Sequence, residues 1–241
     1  HAIGTHPQLD HVGELAWILA HFRVEKFWTN GAARQEEFWR RIERAIAQRK
    51  LEATVATEGR LISEGPACRM VVLNPQPRPE SSIPAKSESL NNLSVVTELV
   101  CREQRVLFTG DIEREALTRL THSGNSAHIA LLKVPHHGAK SSLERRWLET
   151  IRPAVGVVSA GRRNPYGHPA GEVLAAYQAV ETQVWRTDRD GAIWADLDLT
   201  RQELSMHSTR EWILQPALPS ADIWSVEQDN LRRLWRRWNW T

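Results

Sequence analysis

His6-Pro7-Gln8-Leu9-Asp10-His11-Val12-Gly13 decides how this chain is read. Two imidazoles and a carboxylate lie within six residues. The apolar positions Val12, Leu15, Ile18, Leu19 and Phe22 then recur at helical spacing. A loop that opens a helix and carries these donors suits a borderline-soft divalent cation. Asp10 and His11 are adjacent and can converge on one ion, with His6 reaching a second. Taken alone, the octet is also compatible with scattered surface histidines.

Three further segments join it. In Val106-Leu107-Phe108-Thr109-Gly110-Asp111 an apolar strand delivers a carboxylate to a sheet edge. Such a carboxylate can bridge two cations about 3.5–4 Å apart, or it can cap a helix beginning at Ile112. In Leu132 to Ser142 the pair His136-His137 ends a strand, and Gly138 permits close backbone approach. One histidine can ligate while the other contacts substrate. Lys140, Ser141 and Ser142 follow, where backbone amides can hold an anion. In Asn164-Pro165-Tyr166-Gly167-His168-Pro169 a rigid turn places His168 as a ligand or phosphate contact. Every segment ends a strand or opens a helix, where layered folds build their sites.

Periodicity predicts helices over 12–22, 34–49, 112–120, 143–151 and 171–180. Strands are expected over 24–28, 53–59, 60–63, 69–73, 93–100, 105–109, 129–134, 154–159, 183–186 and 192–197. Residues 102–104 suggest a hairpin, Asp190-Gly191 a hairpin-type turn, and the proline-rich 74–89 a loop. This alternation is that of an α/β or α+β layered fold. Residues 1–200 read as one domain and 201–241 as a tail. Within the tail, Leu231, Leu234, Trp235 and Trp238 alternate with Arg232, Arg233, Arg236 and Arg237. That is an amphipathic helix over 227–240, able to pack on the domain or a protein partner, stack bases, or lie on a membrane surface.

Bulk properties exclude little. A net charge of +2 is too mild to indicate nucleic acid by itself. Cys68 and Cys101 stand in unrelated contexts and read as two buried thiols rather than a disulfide framework. No apolar run approaches the roughly 18 residues of a membrane span. With no initiator Met and no visible signal peptide, the expectation is a fragment or a processed chain.

In order, the chain contains His6-x-x-x-Asp10-His11-x-Gly13, Asn91-Asn92-x-Ser94-Val95-Val96, Leu107 to Glu113, Lys133 to Gly138, Asn164 to Pro169 and Arg186-Thr187-Asp188-x-x-Gly191. This series resembles the metallo-β-lactamase-fold domain of ComEC-type DNA-uptake (competence) proteins and their stand-alone hydrolase relatives, over residues 1 to about 198. The resemblance implies an αββα sandwich, here lacking its N-terminal strands, with one or two divalent ions, zinc or manganese, at a sheet edge. It implies phosphodiester hydrolysis by a metal-activated hydroxide, with DNA or another phosphodiester as substrate. His6 would serve a first metal, Asp10, His11 and His137 a second, and Asp111 would bridge them. Asp10, His136 and His168 would be catalytic, and Asn92, Lys140, Ser141 and His168 would contact the substrate. Asn92 stands where many relatives of the fold place a metal histidine. Gln8 stands where the family usually has His or Asp, and its amide is a weaker ligand. Two alternatives remain open: a small-phosphoester hydrolase on the same fold, and a non-catalytic binding module. The resemblance implies a bacterial setting, at the outer face of the inner membrane within an uptake protein or in the cytoplasm if stand-alone.

Overall fold

Apolar residues that alternate along short strands serve two faces at once, and this alternation builds the layers. The structure is a computed structural model that describes residues 1–32, 36–77, 89–122 and 128–210. In chain order its elements are β1 (Ala2–Gly4), α1 (Leu9–Val12), α2 (Leu15–His21), β2 (Lys26–Thr29), α3 (Glu37–Arg49), β3 (Glu52–Val55), β4 (Leu61–Glu64), β5 (Cys68–Asn74), β6 (Val96–Cys101), β7 (Gln104–Phe108), α4 (Arg114–His122), β8 (Leu131–Lys133), α5 (Arg145–Ile151), β9 (Val155–Val158), α6 (Gly171–Ala179), β10 (Gln183–Arg186), α7 (Thr187–Asp190), β11 (Ile193–Asp198) and β12 (Glu203–Ser208).

The first three strands form a parallel sheet in the order β1-β2-β3. Seven strands form a mixed sheet in the order β10-β9-β8-β7-β6-β5-β4. On β2, Phe27 packs with Val12, Leu15, Leu19, Trp39 and Ile42 of the first three helices. Its neighbour Trp28 points the other way and packs with Ile62, Val72 and Val95. The opposite face of the large sheet gives Leu107, Leu132 and Val158 to a core shared with Leu117, Trp147, Leu148, Val173 and Tyr177. The layers therefore run helices, small sheet, large sheet, helices, which is the αββα sandwich.

Several expectations are corrected. The helix expected over 12–22 is two helices broken at Gly13-Glu14. β1 was not anticipated, because three residues carry no periodicity. Asp190-Gly191 is not a hairpin turn: residues 187–190 form a helical turn, β10 pairs in parallel with β9, and β11 pairs with β12. The β11–β12 hairpin runs through the division expected at 200, so its second strand lies in what composition marks as tail. Cys68 and Cys101 are not separate thiols. Antiparallel pairing sets them directly opposite, with Cα atoms 4.1 Å apart, and they form a disulfide. The amphipathic stretch 227–240 and most of the loop 74–89 lie outside the described residues.

Candidate metal centre

Parallel strands β7, β8 and β9 end side by side, and the segments leaving them converge with α1 and the turn before it. Gly110, at φ 55°, turns the chain out of β7. A Cβ there would lie 2.7 Å from that of Ser94, so only glycine fits. Asp111 follows, 1% exposed. After β8, His136 and His137 both adopt left-handed backbone (φ 45° and 53°). This costs about 1–2 kcal/mol per residue and is sustained by four anchors: His136 N–H to Gly110 O, Ala139 N–H to His136 O, Ser142 Oγ to Pro135 O, and Ala170 N–H to Gly138 O.

These turns bring Asp10, His11, Asp111 and His137 together, with one donor atom of each within 4.8 Å of every other. His11 Nε2 lies 3.0 Å from Asp111 Oδ2, 3.3 Å from His137 Nε2 and 3.6 Å from Asp10 Oδ2. His137 Nε2 lies 3.3 Å from Asp111 Oδ2 and 3.5 Å from Asp10 Oδ2. Ligands about 2.0–2.1 Å from a tetrahedral cation stand roughly 3.3–3.4 Å apart, so these spacings fit one. The tautomer fits as well. His137 Nδ1 donates to Ser159 O at 2.6 Å, and a carbonyl only accepts. Neutral His137 therefore turns a lone pair at Nε2 toward a carboxylate and another imidazole. Acceptors facing acceptors are reconciled by a shared proton or a shared cation. Two imidazoles and two carboxylates suit a divalent cation.

Electrostatics agree with the geometry. Burial alone pushes the Asp111 carboxyl up, but hydrogen bonds from His11 and His137 and the Lys133 charge together hold it far below the usual carboxylate range. Hydrogen bonding to Asp111 outweighs burial and raises His137. His6 is 1% exposed and is lowered to about 4, chiefly by burial and then by His11. Its Nδ1 meets Thr5 Oγ1 and Ser94 Oγ at 3.1 and 3.2 Å, its ring lies 4.2 Å from that of His11, and its buried Nε2 has no partner. That orphaned nitrogen fits a ligand to a neighbouring cation.

The other expected residues divide. His136 Nε2 is 3.9 Å from Asp111 Oδ2, while its Nδ1 faces Glu113 Oε1 and Ser141 Oγ, each at 3.3 Å. His168 packs 6.0 Å from the His136 ring, and burial, then His136 and His137, lowers its pKa. Asn92 is corrected. It is buried, its Oδ1 accepts from Glu113 N–H at 2.9 Å and its Nδ2 donates to Glu115, so its amide is spent on the start of α4. Lys140 is an exposed ammonium whose Nζ lies 3.5 Å from Glu172. Gln8 does not face a metal with its amide nitrogen, which donates to Asn91 Oδ1 at 2.8 Å.

Sequence reasoning gave Lys133 no place in the metal centre, yet Lys133 donates to Gly110 O at 2.8 Å and reaches Asp111 Oδ1 at 3.3 Å. It also gave none to Ser94, whose Oγ accepts from Asp111 N–H, or to Glu113 beside His136. Thr187 was quoted without a role. Its Oγ1 accepts from Ala160 N–H at 2.9 Å, next to the Ser159 carbonyl that orients His137. Ser94, Glu113, Lys133 and Thr187 all stand in the motifs above, but nothing local says what each side chain meets.

Comparison with known proteins settles the kinship. ComE operon protein 3 of Bacillus subtilis (strain 168) is 30% identical over 190 residues, which are 78% of this chain and 23% of that protein. Recombination protein 2 of Haemophilus influenzae is 30% identical over 105 residues, 44% of this chain and 13% of that protein. The chain is a homologue of the ComEC-type competence proteins. It spans about a quarter or less of the length of these competence-related relatives. Among solved structures, the metallo-β-lactamase fold protein YhfI from Bacillus subtilis superposes with a TM-score of 0.41 at 9% identity, covering 77% of this chain and 73% of that one. No protein-family model matches the chain.

Proposed function

We propose that this chain is a metal-dependent phosphodiesterase, a nuclease acting on DNA. The observation that carries it is the convergence of Asp10, His11, Asp111 and His137 from across the chain onto a cluster of cation size. A relative named for recombination supports DNA as the phosphodiester.

The cation would be held by Asp10, His11, Asp111 and His137, with His6 serving a neighbouring one. When bound, it supplies Lewis acidity, opposing charge on phosphoryl oxygens and drawing the pKa of water from about 15.7 toward 7. The chain's own groups do the rest. Lys133 keeps Asp111 anionic. The Ser159 carbonyl holds His137 in the tautomer that presents Nε2. Asp10 is the exposed carboxylate of the four and takes up the proton released by the attacking water. His136, its Nδ1 tied to Glu113 and Ser141, offers Nε2 to a non-bridging or leaving oxygen, with His168 beside it. The Cys68–Cys101 disulfide supports the outer face of the membrane over the cytoplasm, where thiols are kept reduced.

The test is Asp111→Ala. Metal-dependent cleavage of single- and double-stranded DNA falls on the order of 100- to 1,000-fold. Cleavage at the unsubstituted rate defeats the proposal.

A further inference from the structure

The segment Asn164–Pro169 is used by the proposed chemistry only through His168. Its neighbour Tyr166 is 79% exposed, the highest value among the large apolar side chains described. Its loop is clamped. Asn164 Nδ2 donates to Gly161 O and His168 O at 3.0 and 2.7 Å, and Asn164 Oδ1 accepts from His168 N–H at 2.9 Å. Below it, Pro169 fills the space where a Cβ on Gly138 would sit. The ring is thus held in water on a fixed support.

Tyr166 stacks on His168 with ring centroids 5.8 Å apart and planes 18° from parallel. His168 in turn lies 6.0 Å from His136, whose Nε2 is 3.9 Å from Asp111. Three rings therefore lead from the carboxylate cluster to solvent. His168 Nδ1 is buried along this path without a partner. On the same loop, Arg162 and Arg163 are exposed, and neither makes an ion pair among the described residues.

We propose that Tyr166 is the specificity-determining residue of this site, a platform on which a nucleobase next to the scissile phosphate stacks, with Arg162 and Arg163 on flanking phosphates. This rests on the phosphodiesterase reading above and sharpens its substrate to a single strand. Aromatic faces with interleaved cations hold single strands without reading sequence. A duplex keeps its bases stacked inside and cannot offer one to Tyr166. A small phosphodiester has no base to offer.

The experiment uses the full chain loaded with manganese and three probes. These are a labelled, cleavage-resistant phosphorothioate oligo(dT), the same strand with abasic sugars, and glycerophosphocholine, a small diester without an aromatic ring. In fluorescence anisotropy Tyr166→Ala weakens oligo(dT) binding roughly 5- to 100-fold. Tyr166→Trp restores it, and the abasic strand does not sense either change. Hydrolysis of the small ester keeps its wild-type rate. Replacing Arg162 and Arg163 by Ala weakens both strands alike and flattens the salt dependence. Unchanged oligo(dT) affinity in Tyr166→Ala, or an equal loss for the abasic strand, overturns the proposal. So does a parallel loss of ester hydrolysis, which would make Tyr166 a prop for His168. If the wild type hydrolyses nothing yet binds oligo(dT) through Tyr166, the platform stands and the nuclease reading falls. If it cleaves DNA while Tyr166→Ala changes nothing, the reverse holds.

Discussion

Two buried carboxylates of the large sheet are held in opposite ways. Glu98 on β6 meets Arg105 on β7 with both oxygens, at 2.8 Å each, so donors match acceptors and the pair is closed. Asp111, just beyond β7, meets Lys133 on one oxygen and two imidazole nitrogens on the other. One of those imidazoles has already committed its Nδ1 proton to Ser159. A buried charge whose partners are all supplied by the chain is structural. A buried charge that also faces an imidazole lone pair leaves a place for a cation. The disulfide Cys68–Cys101 repeats the first pattern covalently.

Chelation and reduction should separate the two patterns most widely. Excess chelator abolishes hydrolysis, and zinc or manganese restores it. Reducing Cys68–Cys101 lowers unfolding free energy by about 3–4 kcal/mol and leaves the rate of the folded protein unchanged. Initial rates and urea titrations read both effects, and hydrolysis that survives chelation breaks the contrast. A smaller effect is expected from Glu98→Ala. Stranding Arg105 costs about 3 kcal/mol, while elemental analysis finds the wild-type metal content. Loss of metal in this variant would show that the closed pair and the open cluster are one unit.

The finest test is pH. The folded pKa of His6, about 4, lies below its ordinary value of 6.5. Between these values the unfolded chain binds the extra proton. The His6 contribution is therefore fully present above pH 6.5 and is lost as pH falls to 4, on the order of 3 kcal/mol in metal-free protein. His137 is raised and acts in the opposite sense: its contribution is present below pH 6.5 and fades as pH rises through its folded value. His6→Gln should flatten the acid limb of stability against pH. An unchanged slope would mean that His6 is not the buried neutral group described here.

Much of the site was legible because its donors come as compact words at strand ends and at a helix start. Asp10-His11, Gly110-Asp111 and His136-His137 each combine a ligand with the turn that presents it. The partners of Asn92 and Lys140 were not legible for one reason. A polar side chain in a motif reads alike whether it faces a ligand, caps a helix or pairs with a neighbouring carboxylate. The place of Lys133 was not legible either, since one lysine after two leucines gives no hint that strand pairing will aim it at Gly110 and Asp111.

The amino-acid order alone determined the layered class, the strand ends that carry chemistry and the kinship, because periodicity and short motifs are local properties. Strand pairing decided which residues meet. It set Cys68 against Cys101 across 33 positions, placed Lys133 behind Asp111, and aimed His137 by a carbonyl 22 residues away. Register between strands distant in sequence is selected by burying apolar faces on both sides of a sheet at once, and no local pattern encodes that choice.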